Sequence, residues 1–290
     1  MWTVSTSGSR KLLPVVYAAV LAWIQIYICR EIFFLDYTGY TNSMHGFWMA
    51  LARLAPAGHW IRPVWWPFWY GGMPYEYTYA PLIPDLTKAV AALAGWPHGR
   101  AFYAVAGFFY VLTPVAVFAV TASMSRSAGY SFFGALVYSL TALPELVVPD
   151  GVFKLVYLGN PRRLYLTAVW DEMPHLAALT LAMVATFFLW RWLSGGRPRD
   201  AVLSGAGMAL ATLANPFGAT MAAMLGLCLV FALDPKEWKR NLLRALAVGA
   251  GAYLVICPWF PPSLAETMRF NTRRFDDGWK AASEIGRAHV

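Results

Sequence analysis

Long runs of apolar residues, separated by short polar turns, dominate this chain. A membrane-spanning helix needs about 20 mostly apolar residues, and this rule predicts seven spans, at residues 12–34, 102–123, 129–148, 175–193, 201–215, 217–233 and 243–260. Pro144 and Glu145 in the third span, and the short Gly-rich fifth span, favour kinks, tilt or burial against other helices. Residues 83–95 carry Asp85 and Lys88 in an apolar run, which favours an amphipathic helix in the membrane interface.

Composition agrees with this pattern. A hydrophobic fraction of 59% with only 13% charged residues lies outside the usual range of soluble domains. The sequence therefore predicts an all-α integral membrane protein, a polytopic bundle of about seven transmembrane helices with a long first outer loop. Cys29, Cys228 and Cys257 all lie in apolar runs, which indicates packing rather than a disulfide framework.

The basic residues indicate topology. The net charge of +8 is spread over short loops, a distribution typical of cytoplasmic connections, so we expect no nucleic-acid partner. The pattern predicts a multi-pass protein of the cytoplasmic (inner) membrane with residues 1–11 in the cytoplasm and a transmembrane module at 12–260. Two loops, 35–101 and 149–174, then lie on the outer face together with the segment 261–283.

The last seven residues, "EIGRAHV" (284–290), differ from the rest of the chain. They match the in-frame translation of a common sequencing-library adapter. We therefore expect them to be an artefact, with the chain a C-terminally truncated fragment and 261–283 the start of a missing part.

Asp36 is the leading candidate for acid–base chemistry. It follows the first span among Phe and Tyr residues, where scarce water predicts a raised pKa suited to a general base. The alternative is a carboxylate that marks the water boundary. Glu31, one turn inside, has a structural interpretation as the partner of Arg30.

The second outer loop adds two acids. Asp171 and Glu172 precede Pro174, a position typical of the first turn of a helix, where carboxylates favour the positive end of the dipole. The functional alternative is that one of them faces Asp36 across an outer cavity, with His175 one turn on.

Arginines supply candidate phosphate ligands. Arg162 and Arg163 lie in the second outer loop, and further arginines follow the seventh span. A guanidinium offers planar bidentate donors to phosphate, although lipid headgroup contacts are the alternative. The sequence has no HExxH, CxxC, EF-hand, P-loop or dinucleotide glycine motif, so we expect neither a metal nor a cofactor.

The segment "WWPFWYGGMPYEYTYAPL" (65–82) is nearly as apolar as a span but rich in Gly and Pro. These residues predict tight turns and a shaped lip on an outer cavity. Its pattern of W, G-x-P and Y-x-P-L, carried by Trp66, Trp69, Gly72, Pro74 and the stretch 79–82, resembles the GT-C superfamily of polytopic glycosyltransferases. Within it the likeness is closest to bacterial membrane proteins labelled "6-pyruvoyl-tetrahydropterin synthase-related", and it covers residues 12 to about 260.

This resemblance implies metal-independent transfer of a sugar from a polyprenyl-phosphate-linked donor, in contact with membrane lipid, at the outer face. Related proteins carry an Asp shortly before a His on the first loop, whereas here Asn42 precedes His45 and Asp36 lies nine residues earlier. The catalytic candidates are Asp36, Asp171, Glu172 and His45. The substrate-binding candidates are Trp66, Trp69, Tyr75, Glu76, Tyr77, Tyr79, Arg162, Arg163 and His175.

Two other classes stay open. A lipid or small-solute transporter or flippase would show repeats and broken helices at the midplane, whereas the polar residues here are expected at one face. A non-catalytic polytopic protein would use the aromatic loop only as an interfacial belt. The sequence identifies no protein partner.

Overall fold

The helices of the structure follow the apolar runs of the sequence. The computed structural model describes residues 7–36, 43–56, 58–60, 62, 64–68, 71–75, 79–125, 127–141, 162–168, 172–233, 235–263, 266 and 269–270. Within these ranges the chain is helical apart from one two-residue β-hairpin and the connecting turns.

The helix bounds are as follows. The first half contains α1 (Ser7–Cys29), a 3₁₀ helix (Arg30–Phe34), α2 (Ser43–Leu54), β1 (Trp65–Trp66), β2 (Met73–Pro74), α3 (Leu82–Ala94), α4 (His98–Ser125) and α5 (Ala128–Leu140). The second half contains α6 (Arg162–Ala168), α7 (Met173–Leu193), α8 (Pro198–Ala214), α9 (Phe217–Ala232), a 3₁₀ turn (Pro235–Glu237) and α10 (Trp238–Ile256).

Three described segments are long and apolar enough to cross a membrane, namely Leu12–Phe34, His98–Ser125 and Met173–Leu193. At about 1.5 Å per residue even the last extends about 32 Å, which matches a hydrocarbon core of about 30 Å. The other four predicted spans also coincide with helices, but α5 and α9 have only 13 and 16 residues. The all-α class is confirmed, whereas a bundle of seven spans stays a prediction.

Small residues let α7 and α8 pack closely as an antiparallel pair. A Cβ placed on Gly207 would lie 2.9 Å from the Cβ of Ala185, so the two backbones approach more closely than larger side chains allow. Asp200 joins the pair at its tight turn, because one carboxylate oxygen accepts from the Arg197 amide at 3.0 Å and the other lies 3.3 Å from Arg191 Nε.

The first long loop, 35–101, contains much of the structure that caps one end of the bundle. Trp65 pairs with Pro74 and Trp66 with Met73 in an antiparallel hairpin. Helix α3 packs against α2, α4 and α8. The predicted helix at 83–95 is therefore present. Its Asp85 side chain contacts His59 within the protein and does not face solvent alone.

An aromatic core lies beneath this cap. Trp48 of α2, Trp66 and Tyr75 of the hairpin, Tyr103 of α4 and Trp259 after α10 belong to one buried cluster. Burying so many large rings supplies much of the hydrophobic free energy at this end of the bundle. The cluster therefore joins the first loop to the last helix.

Candidate functional site

Distant segments meet at the end of the bundle where α1 finishes and α4 begins. A Cβ on Gly99 would overlap the main-chain carbonyl oxygen of Asp36, so the end of the first span packs directly on the start of α4. On the same cap, Asn215 Nδ2 at the end of α8 donates to the Tyr79 hydroxyl at 3.1 Å. Each contact joins segments that are far apart in the chain, and both lie at this end of the bundle.

Asp36 is exposed at this end. The described residues therefore do not enclose its side chain in the dry aromatic environment expected for it, and its position leaves the carboxylate open to a ligand. Glu31 forms an exposed ion pair with Arg30 at 3.1 Å, as its structural interpretation predicted.

Glu172 and His175 form an accessible acid–imidazole pair. The Glu172 side chain bonds His175 Nδ1, and the two side chains are 43% and 37% exposed. Glu172 occupies the N-cap position of α7, at the helix start as predicted, but makes no side-chain cap hydrogen bond. The His175 ring stacks on Phe217 with centroids 5.7 Å apart.

Tyr79 stands beside this pair. Burial, followed by the negative charge of Glu172, raises the pKa of the Tyr79 hydroxyl above its ordinary value, which indicates that the phenol and the carboxylate are near each other. The Tyr79 ring also packs edge-on against Trp48, with centroids 4.4 Å apart. Tyr79, Glu172 and His175 thus combine an aromatic face, an acceptor and a titratable ring.

The aromatic hairpin turns at two glycines, as predicted. Gly71 and Gly72 have φ of +79° and +108°, values that side chains strongly disfavour. The hairpin leaves Trp65 and Phe68 exposed, whereas Trp66 and Tyr75 are buried in the aromatic core. Trp66 and Tyr75 therefore present no free ring face to a sugar, which corrects their expected stacking role.

The structure also contains a pair that the sequence did not identify. His59 Nε2 lies 2.9 Å from Asp85 Oδ2, and His59 Nδ1 lies 2.7 Å from the Pro56 carbonyl oxygen. The side chains are only 6% and 18% exposed. The rings of Tyr75 and Trp259 pack edge-on against the imidazole at 5.0 and 5.5 Å.

This pair holds one proton between its members. A carbonyl oxygen only accepts, so His59 Nδ1 carries hydrogen, and Nε2 faces a carboxylate across a hydrogen-bond distance. Either the imidazole is charged, or Asp85 is protonated and donates. Burial has the largest effect on the Asp85 carboxyl and raises its pKa. The contacts with His59, Trp60 and Lys88 act in the opposite direction and lower it. Burial followed by the charge of Asp85 raises the pKa of Tyr75.

Arg163 lies deeper in the protein than the outer loop assigned to residues 149–174 implies. Its Nη1 donates to the Tyr110 carbonyl and its Nη2 to Gln25 Oε1, both at 2.7 Å. The guanidinium also lies 4.0 Å from the centre of the Tyr110 ring. In turn, Gln25 donates to Ser139 at 3.1 Å.

These contacts place Arg163 beside the middle of α4. Tyr110 is 12 positions into this helix from His98, a distance of about 18 Å at 1.5 Å per residue. Among the described residues no Asp or Glu forms an ion pair with Arg163. The described polar groups therefore lie along the middle of α4 as well as at the cap.

His45 occupies a packing position. It is fully buried, lies 3.4 Å from the Tyr103 hydroxyl through Nδ1 and packs edge-on against Phe102. It therefore has no access to substrate here, contrary to its expected catalytic role. Trp69, Glu76, Tyr77 and Asp171 lie outside the described residues, as does the side chain of Arg162.

Local pattern could not reveal the His59–Asp85 pair or the Arg163 contacts. The partners are 26 residues apart in the first case, and Arg163 and Gln25 are 138 apart in the second. The sequence signal that could have indicated these contacts is a charged or polar residue within an apolar run. Asp85 is such a charged residue, and Gln25 is such a polar residue. Such residues at membrane depth merit a functional interpretation by default.

The fold and site define a class but no family. Over the residues that the structure describes, the protein is all-α, with three helices long and apolar enough to cross a membrane and a polar, aromatic cap at one end. Comparison with family models, curated proteins and solved structures found no match. The likeness to GT-C glycosyltransferases therefore stays a prediction.

Proposed function

We propose that this protein is an integral membrane glycosyltransferase that moves a sugar from a polyprenyl-phosphate-linked donor to an acceptor at the outer face of the cytoplasmic membrane. The observation that carries the proposal is that Asp36, Tyr79 and the Glu172–His175 pair all lie at the same end of an apolar bundle. An amphiphilic donor needs such an arrangement, with lipid beside the helices and the sugar at the polar cap.

The proposed reaction is an attack by an acceptor hydroxyl on sugar C1. The bond from C1 to the phosphate oxygen breaks, the lipid phosphate leaves with the electron pair, and a carboxylate takes the acceptor proton. The leaving phosphate is already acidic, so it needs cationic stabilisation more than a strong proton donor.

Asp36 is the first choice for the base because its exposed carboxylate is free to meet an acceptor. Glu172 is the second, since His175 orients its carboxylate and Tyr79 supplies an adjacent ring. The two remain alternatives in one proposal, and mutation separates them.

The test measures release of undecaprenyl phosphate from undecaprenyl-phosphate-linked glucose or mannose, using the complete protein in membranes. This product is the same for every acceptor. Loss of a general base costs about 10²- to 10⁴-fold in rate, so Asp36→Asn should slow release by at least about 100-fold. Glu172→Gln should instead carry the loss if Glu172 is the base.

Glu31→Gln is the matched control, because Glu31 is an exposed acid one turn from Asp36 that already pairs with Arg30. It should leave release unchanged. Full rates in both Asp36→Asn and Glu172→Gln would rule out both carboxylates and, with them, this mechanism.

The Arg163 contacts favour a second candidate, a transporter or flippase for a lipid or small solute. The Arg163 guanidinium is a cation that donates to Gln25 and to a main-chain carbonyl, and no described acid pairs with it. A cation of this kind within a membrane bundle is typical of substrate pathways. Movement of a fluorescent polyprenyl phosphate across proteoliposomes, without sugar release, would favour this candidate over transfer.

A further inference from the structure

A groove of about 580 Å³ opens between α2 and the start of α4, beside the end of the first span. Helix α2 contributes Met49, Ala50, Arg53 and Leu54, and the facing wall is formed by residues 97–99. The groove thus combines apolar walls with two residues, Arg53 and His98, that can donate to an anion.

The described lining of the groove is cationic. No Asp or Glu is among the lining residues that the structure describes, and Arg53 takes part in no ion pair with them. Asp36 meets the groove through its main-chain carbonyl at Gly99, with an exposed carboxylate nearby. An exposed arginine without an acid partner is free to bind a ligand anion.

Arg100 adds positive charge one residue beyond the lining. Its guanidinium carbon lies 4.7 Å from the Trp96 ring centre and 5.9 Å from that of Phe34. Its Nε is buried and has no hydrogen-bond partner among the described residues. Aromatic faces hold this cation in place without neutralising it.

The position of the groove indicates which kind of anion it binds. Phe34 ends the first span, and both Phe34 and Trp96 are exposed aromatic residues, as expected at the level of lipid headgroups. Met49 and Leu54 give an apolar surface that a soluble ion does not need but that the glycerol backbone and first methylenes of a lipid can cover.

We propose that this groove binds the phosphate of an anionic phospholipid headgroup, with Arg53 and His98 as its donors. The inference is independent of sugar transfer, because it concerns a lipid bound to the protein and not a lipid consumed by it. It describes a site where the cap formed by α2 and α3 is attached to the membrane surface.

Native mass spectrometry of the full chain in detergent tests the proposal. Dioleoyl phosphatidylglycerol is titrated against dioleoyl phosphatidylcholine, which has the same tails but no net charge. Phosphatidylglycerol should bind more tightly to wild type. Arg53→Gln should weaken it about tenfold, equivalent to about 1.4 kcal/mol, and Arg53→Gln with His98→Gln should abolish the preference for phosphatidylglycerol.

Arg199→Gln is the matched control, since Arg199 is also exposed and unpaired among the described residues but lies at the start of α8. It should not change phosphatidylglycerol affinity. Equal affinity in wild type and the double variant, or the same loss in Arg199→Gln, would overturn the proposal.

A third arm uses glycerol 1-phosphate, which has the phosphate without the tails. Binding as tight as that of phosphatidylglycerol would show a site for free phosphate and overturn the lipid assignment. Asp36→Asn separates this inference from the proposed function, because it should stop sugar transfer yet leave phosphatidylglycerol binding at least as tight as in wild type.

Discussion

Replacing Asp85 by leucine should destabilise the protein much more than replacing it by asparagine. In Asp85→Asn the amide nitrogen can donate to His59 Nε2, while His59 Nδ1 keeps its bond to the Pro56 carbonyl. The buried site also favours a neutral group, so the cost should be within about 1 kcal/mol. In Asp85→Leu the buried Nε2 has no partner from residue 85, a loss of about 1–3 kcal/mol.

The difference of about 2 kcal/mol between the two variants is measurable as a difference in their Tm values. A change of 1 kcal/mol shifts Tm by about 2–4 °C in a domain of 150–250 residues, so the two variants should differ by roughly 5 °C at one fixed scan rate. Equal midpoints for Asp85→Asn and Asp85→Leu would show that the hydrogen bond to His59 contributes nothing to stability.

The same pair predicts a pH dependence with a definite sign. Burial raises the pKa of Asp85 above its ordinary 3.8, so the folded protein binds this proton more tightly than the unfolded chain. This group therefore stabilises the fold increasingly as pH falls through the folded pKa, and the gain is lost as pH rises. Wild-type Tm should rise relative to Asp85→Asn between about pH 7 and about pH 4; parallel curves would contradict this reasoning.

Two further substitutions examine the hairpin and the buried cation. Gly72→Ala places a side chain on a residue with φ of +108°, and its Cβ would lie about 2.5 Å from the Trp65 ring. This substitution should cost about 1–3 kcal/mol of stability. The control is Gly46→Ala in α2, which has open space around its Cβ and should not lower Tm. Arg163→Met removes a buried charge but leaves the buried Gln25 Oε1 without its donor, a loss of about 1–3 kcal/mol, so Tm should fall by several degrees while transfer or transport is abolished. Full activity in this variant would contradict a functional role for Arg163.

Much of the helical framework could be predicted from apolar length alone. Each predicted span coincides with a helix because a long apolar run forms internal backbone hydrogen bonds in either lipid or a protein core. Apolar length does not fix where a span ends, and the segment predicted at 129–148 is helical only to Leu140 within the described residues up to 141.

The candidate site was harder to predict because its residues depend on contacts between distant segments. The turn at Gly71 and Gly72 is local, and its residue types indicate it directly. Burial of Tyr75 is not local, since its ring packs against Trp259, which follows a helix more than half the chain away. For this reason, some of the aromatic residues that were expected to stack on a sugar belong to the hydrophobic core instead.

The contact of Trp259 with His59 and Tyr75 bears on how the chain is made. Tyr75 and Trp259 are separated by about 180 residues, which take about 10–40 s to synthesise at 5–20 residues per second. During that interval the rings of the first loop lack the indole that later covers them. The cap can reach its final packing only after α10 and Trp259 have been synthesised, so assembly of this end is a late, long-range step in biogenesis.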